Sequence, residues 1–79
     1  MTATNKLVRE YNTLAMSLPD KVWTPRFAHP RMELVGTKVM MEYNIKHDHK
    51  YVPQRKPVLV EDIPEEIQRL KRRAAERSK

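Results

Sequence analysis

Histidine and aspartate are metal-ligand residues, and positions 46–51 read Lys-His-Asp-His-Lys-Tyr. On an extended chain successive side chains alternate, so His47 and His49 would project from one face and Asp48 from the other. That supplies two ligands where a structural zinc takes four, and a third, His29, would require the chain to fold back. His47 and His49 are therefore weak metal candidates, and histidines that are solvated or bonded to carbonyls are the plainer expectation. Nucleophilic chemistry has less to draw on. There is no cysteine, the only serines are Ser17 and Ser78, and a single glycine leaves no glycine-rich phosphate loop. No catalytic residue and no cofactor are expected.

Anion binding is better provided for. Residues 1–68 carry 10 basic and 9 acidic side chains while residues 69–79 carry 6 and 1, so nearly all of the net charge of +6 lies in the C-terminal segment. On a helix, Arg69, Arg72, Arg73 and Arg77 fall on the side away from Ile63, Ile67, Leu70 and Ala74, which leaves a thin apolar stripe and a broad cationic face. Such a face suits the phosphates of rRNA or anionic lipid headgroups, and Lys46, Lys50, Arg55 and Lys56 would extend its footprint. Sequence-specific base reading is not expected, because no aromatic residue interleaves with this basic segment.

Five elements must position these groups. Over 4–18, Leu7, Val8, Tyr11, Leu14, Ala15 and Leu18 recur at the spacing of an amphipathic helix, with Thr4 or Asn5 as its cap and Pro19 as its stop. Residues 19–30 carry Pro19, Pro25 and Pro30 and read as a proline-rich strap. Trp23 and Phe27, the only tryptophan and phenylalanine, are its anchors. Residues 30–46 are ambiguous in period. A helix puts Met32, Val35, Val39 and Tyr43 on one face and Leu34, Met41 and Ile45 on the other. A hairpin instead turns at Gly36-Thr37 and alternates Val39, Met41, Tyr43 and Ile45 with polar neighbours. Methionine, glutamate, leucine and lysine are good helix formers, so the helix is favoured. Residues 47–61 read as an extended strap in which Val58-Leu59-Val60 is suited to adding a strand to a neighbour's sheet edge. Residues 62–78 read as a basic C-terminal helix, with Asp62 and Glu65 at capping-box spacing.

Seventy-nine residues make at most one small domain, and without disulfides or a thiolate metal site such a chain is marginal alone. With 33% charged residues and a mean hydropathy of -0.79, few side chains remain for a core. The expected class is mainly α with extended proline-rich segments, two to three helices, non-globular or semi-extended, with no independent large core. No apolar run approaches the roughly 20 residues that cross a bilayer, and the N-terminus lacks the apolar stretch of a secretory signal. These features point to a non-catalytic structural subunit docked on other protein subunits of a large complex through Leu7, Tyr11, Leu14, Leu18, Trp23, Phe27, Val35, Val39, Tyr43, Ile67 and Leu70. In style the chain is similar to accessory subunits of mitochondrial respiratory-chain or ATP-synthase complexes, which makes the mitochondrion the expected compartment. The alternative is a small ribosomal or mitoribosomal protein whose C-terminal helix lies on rRNA.

Overall fold

The alternation of Val39, Met41 and Tyr43 with Lys38, Met40 and Glu42 is realised as a strand, so the segment over 30–46 is part of a β-hairpin and not a helix. A computed structural model of the chain describes residues 3–77. Its elements run α1 (Ala3–Ser17), a 3-10 turn (Asp20–Val22), β1 (Ala28–Val35), β2 (Lys38–His47), β3 (Lys50–Val58), a second 3-10 turn (Val60–Asp62) and α2 (Ile63–Arg77). The three strands form one antiparallel sheet in the order β1-β2-β3. The chain is thus a small α+β fold, which corrects the expectation of a mainly helical, semi-extended chain.

Both hairpins are closed by two-residue turns whose backbone explains them. Val35 pairs with Lys38 around Gly36-Thr37, and Gly36 has a φ of +64°, the positive first central residue of a type II′ turn. His47 pairs with Lys50 around Asp48-His49, whose φ values of +50° and +68° are the double positive of type I′. The stretch expected to run on as an extended strap therefore reverses at Asp48-His49 and returns as β3. Pro53 and Pro57 do not prevent this. Lying four residues apart, they share one phase of the ladder, and on an edge strand their missing N–H groups fall on the solvent side. The same prolines blunt that edge against further strands.

The opposite edge is covered by α1. Asn12, half-buried, donates from Nδ2 to the Met32 carbonyl at 2.8 Å and accepts at Oδ1 from the Met32 N–H at 2.7 Å. Residues at helical spacing on α1 (Val8, Tyr11, Ala15) and on α2 (Ile63, Ile67, Leu70) meet Met32, Val39 and Met41 from the sheet in one core. The stripe on α1 was expected to dock on other subunits, yet it has partners inside the chain. It finds them in α2 and in the methionine pair Met32–Met41, which are register neighbours on β1 and β2. The Cα radius of gyration is 12.7 Å. A packed chain of this length has about 12 Å and an unfolded one about 27 Å, so the molecule has its own core. On the far face of the sheet, Arg31, Glu42 and Arg55 lie side by side in register across the three strands, and Arg55 also reaches Glu33 at 3.5 Å. A face of alternating charge of this kind is stable in water without cover.

Thr4 and Asn5, expected to cap α1, lie within it. Residues 19–27 do not run as the continuous extended strap expected of them: the 3-10 turn Asp20–Val22 and a reverse turn at Pro25-Arg26 interrupt the segment and tie it down. Thr24 and Phe27 exchange two backbone hydrogen bonds around Pro25-Arg26, and the Lys46 N–H donates to the Pro25 carbonyl at 2.6 Å. The register of β1 slips by one residue between Ala28 and Arg31. In that bulge His29, directly before Pro30, takes a φ of +50°, where an extended conformation was expected.

Candidate functional site

The arginines of α2 acquire a second wall from the tertiary fold. Arg69, Arg73 and Arg77 stand one helical turn apart, with Arg72 and Glu76 in the adjacent row. Facing them across an open cleft of about 550 Å³ are Phe27, Lys56 of β3 and the edge of Tyr11. The Arg73 guanidinium lies 5.1 Å from the centre of the Phe27 ring, and Lys56 Nζ lies 5.7 Å from that of Tyr43. Phe27 and Tyr43 are themselves 5.3 Å apart with a tilt of 35°. Two neighbouring rings thus each hold a cation by its attraction to the π face, which at partly exposed sites contributes on the order of 0.5–1 kcal/mol per contact. Arg73 is half-buried as a result, whereas Arg72 and Arg77 are exposed at the rim.

Charge in the cleft is unevenly compensated. Arg69 is held by Glu65 at 3.5 Å and Glu66 at 3.4 Å on its own helix, so its charge is largely answered locally. Glu66, one of the two acids that line the cleft among the described residues, spends its side chain on Arg69. Lys56, Arg72, Arg73 and Arg77 then face Glu76 as the remaining acid of the lining. The Tyr11 hydroxyl is pushed well above the usual phenol range, chiefly by burial and secondarily by Glu66, with Arg73 pulling the other way. Tyr11 is therefore a neutral wall of the cleft at any physiological pH. Fixed positive charge beside flat aromatic faces fits a ligand that is anionic and carries planar rings.

His47 and His49 are not brought together for metal binding. Asp48-His49 forms the centre of a tight turn, so the alternation that would place both rings on one face is lost, and His47 Nε2 lies 3.5 Å from Asp48 Oδ2 in a pair that is 78% and 89% exposed. Among the described residues no three His, Asp or Glu side chains are grouped to hold a metal ion. The residues expected to dock on partners are placed largely inside. Tyr11, Val39, Ile67 and Leu70 are buried in the core, and Leu7, Leu14, Leu18, Trp23, Phe27 and Tyr43 pack against it half-buried. Val35, at the Gly36 turn, is 48% exposed. Among the described residues no helix is long and apolar enough to cross a membrane.

Sequence reasoning found the cationic face of α2 but not its aromatic partners, because Phe27 and Tyr43 lie in a different segment of the chain, 46 and 30 positions before Arg73. The available signal was compositional: four of the five Trp, Phe and Tyr residues fall between 23 and 51, the segment that the sheet folds against α2. Compared with known proteins, the chain matches no family model, no curated protein and no solved structure.

Proposed function

We propose that the protein is a small non-catalytic subunit that contacts an RNA backbone through the cleft between α2 and β3, in the manner of the ribosomal-type alternative. The observation that carries this reading is Arg73 set on Phe27 inside a cleft rimmed by Lys56, Arg72 and Arg77. Phosphate neutralisation needs cations in fixed positions, and the rings hold two of them in place before any ligand arrives. Among the described residues the lining holds no serine, cysteine or histidine, which supports a binding role over nucleophilic chemistry. The reading as a docked accessory subunit drew its force from the expectation of no independent large core, and the folded core takes that support away. A protein neighbour in a larger complex remains compatible with the RNA role, and the exposed pair Leu59 (62%) and Val60 (40%), at the start of the 3-10 turn that follows β3, favours one.

The test is fluorescence anisotropy of a labelled RNA oligonucleotide titrated with the full chain between 50 and 200 mM salt, settings chosen to reveal counterion release. Four phosphate-facing cations predict a slope of log K against log salt of about -3 for a single strand. Replacing Arg72 and Arg77 together by glutamate, both exposed, should abolish binding while leaving the circular dichroism melt unchanged. No RNA binding at the lowest salt, or equal binding by the double variant, would sink the reading. Binding to vesicles rich in anionic lipid but not to RNA would transfer the cleft to a membrane surface.

A further inference from the structure

The rings of the cleft do not stop at its edge. From Phe27 the row continues to Trp23 at 6.4 Å in an edge-on arrangement, then to His29 at 6.1 Å and to Tyr51 at 6.0 Å. Lys46 Nζ lies 6.0 Å from the centre of the Tyr51 ring, and Lys46 and Tyr51 are register partners on β2 and β3. Strand alternation places Tyr43 on the helix-covered side of the sheet with Met41, and places Lys46 with Tyr51 on the bare side. The row therefore turns around the end of β1, from the cleft to the open face.

Packing does not account for its outer half. Trp23, Phe27 and Tyr43 flank the hydrophobic core, but His29 and Tyr51 do not belong to it, and Tyr51 is 54% exposed. His29 reaches its position only because the bulge holds it in a left-handed conformation immediately before Pro30, a backbone state that a free chain avoids. That conformation holds an exposed imidazole between Trp23 and Tyr51. Along the row, cations sit on the rings at intervals: Lys56 on Tyr43, Arg73 on Phe27 and Lys46 on Tyr51.

We infer that this row is a stacking platform for unpaired RNA bases, with Tyr51 and His29 receiving base faces and Lys46 and Arg73 the adjoining phosphates. The inference rests on the RNA reading of the cleft and narrows its substrate to a single strand. A duplex keeps its bases inside and presents only backbone to such rings, while anionic lipid or an acidic peptide offers charge without a planar stack. The preference needs no base-edge hydrogen bonding, so the platform tolerates many sequences.

The experiment compares the unsubstituted chain with Tyr51→Ala and Tyr51→Phe, at an exposed position where the fold is expected to survive, as a thermal melt verifies. Three probes are used: a single-stranded RNA of about ten nucleotides, within the range that such surfaces span; the same sequence as a duplex; and heparin, a polyanion without bases. Tyr51→Ala should weaken single-strand binding by about 5- to 150-fold, the range for one stacked base. Tyr51→Phe should restore it, and heparin affinity should not change. Trp23, the sole tryptophan, should change its fluorescence with the single strand and not with heparin. Equal affinity for duplex and single strand, or a single-strand affinity indifferent to Tyr51→Ala, overturns the platform while leaving the cleft reading standing. Failure of the unsubstituted chain to bind any RNA overturns both.

Discussion

The side-chain amide of Asn12 engages both backbone groups of Met32, donating to its carbonyl and accepting from its N–H as a neighbouring strand would. One residue of a helix thus completes the hydrogen bonding of an edge strand at the point where Met32 turns its side chain into the core. It also denies that edge to other chains, so β1 is guarded by an amide and β3 by Pro53 and Pro57.

Asn12→Ala should leave the N–H and carbonyl of Met32 without partners in a half-buried place. The expected loss is about 1–3 kcal/mol. In a domain of this size each kcal/mol lowers the melting temperature by about 4–8 °C. Thermal denaturation followed by circular dichroism measures the loss, and light scattering should show self-association as the edge opens.

The two hairpin turns should respond oppositely to changes at their positive-φ positions. His49 occupies a left-handed conformation, so His49→Gly should stabilise the fold by about 1 kcal/mol. Gly36 shows nothing within 4 Å of an added Cβ, so Gly36→Ala should cost only the backbone penalty of about 1–2 kcal/mol. Urea midpoints at constant slope are the measurement. A destabilising His49→Gly would mean that the histidine ring contributes more than its backbone costs.

A chain with its own core should unfold cooperatively in isolation. Met41, 1% exposed and beside Met32, is one of the largest fully buried side chains of the core. Met41→Ala should cost about 2–5 kcal/mol. Against a total of roughly 4–12 kcal/mol for a chain of this length, that is enough to broaden or abolish the transition. A melt without a cooperative step in the unsubstituted protein would contradict the fold.

Tyr11 makes stability depend on alkaline pH. Burial raises its folded-state pKa above the unfolded value of about 10. The folded protein therefore holds the phenolic proton more tightly than the unfolded chain. Its contribution is fully present below about pH 10 and is lost progressively as pH rises beyond that, since ionising the phenol then favours unfolding. The melting temperature of Tyr11→Phe should fall less steeply from pH 9 to pH 11 than that of the unsubstituted chain, and equal slopes would reject the assignment.

How much of this was legible before folding follows from which interactions are local. The two terminal helices were visible because Val8, Tyr11 and Ala15, or Ile63, Ile67 and Leu70, write the helical period within one segment, where a single face meets the core. The cationic face of α2 was legible for the same reason. The central segment was misjudged because the helix-forming tendencies of methionine, glutamate and lysine are worth only tenths of a kcal/mol, whereas pairing in a sheet and burying Met32, Val39 and Met41 outweigh them. The prolines of β3 misled in the same way: they forbid a central strand but not an edge, and a chain does not announce which of its strands will be an edge.

Charge distribution, the absence of cysteine, the helical stripes and the availability of a turn at Gly36-Thr37 were properties of the sequence itself, since the first two are composition and the others depend on residues within a few positions of one another. The tertiary structure alone decided that Lys-His-Asp-His-Lys is a hairpin tip, and that Arg73 meets Phe27 while His29 is turned toward Tyr51. The ring contacts of Arg73 and His29 join residues far apart along the chain and form only when the sheet and both helices enclose a common core, while the local turn at Asp48-His49 is fixed by the pairing of β2 with β3 along their length.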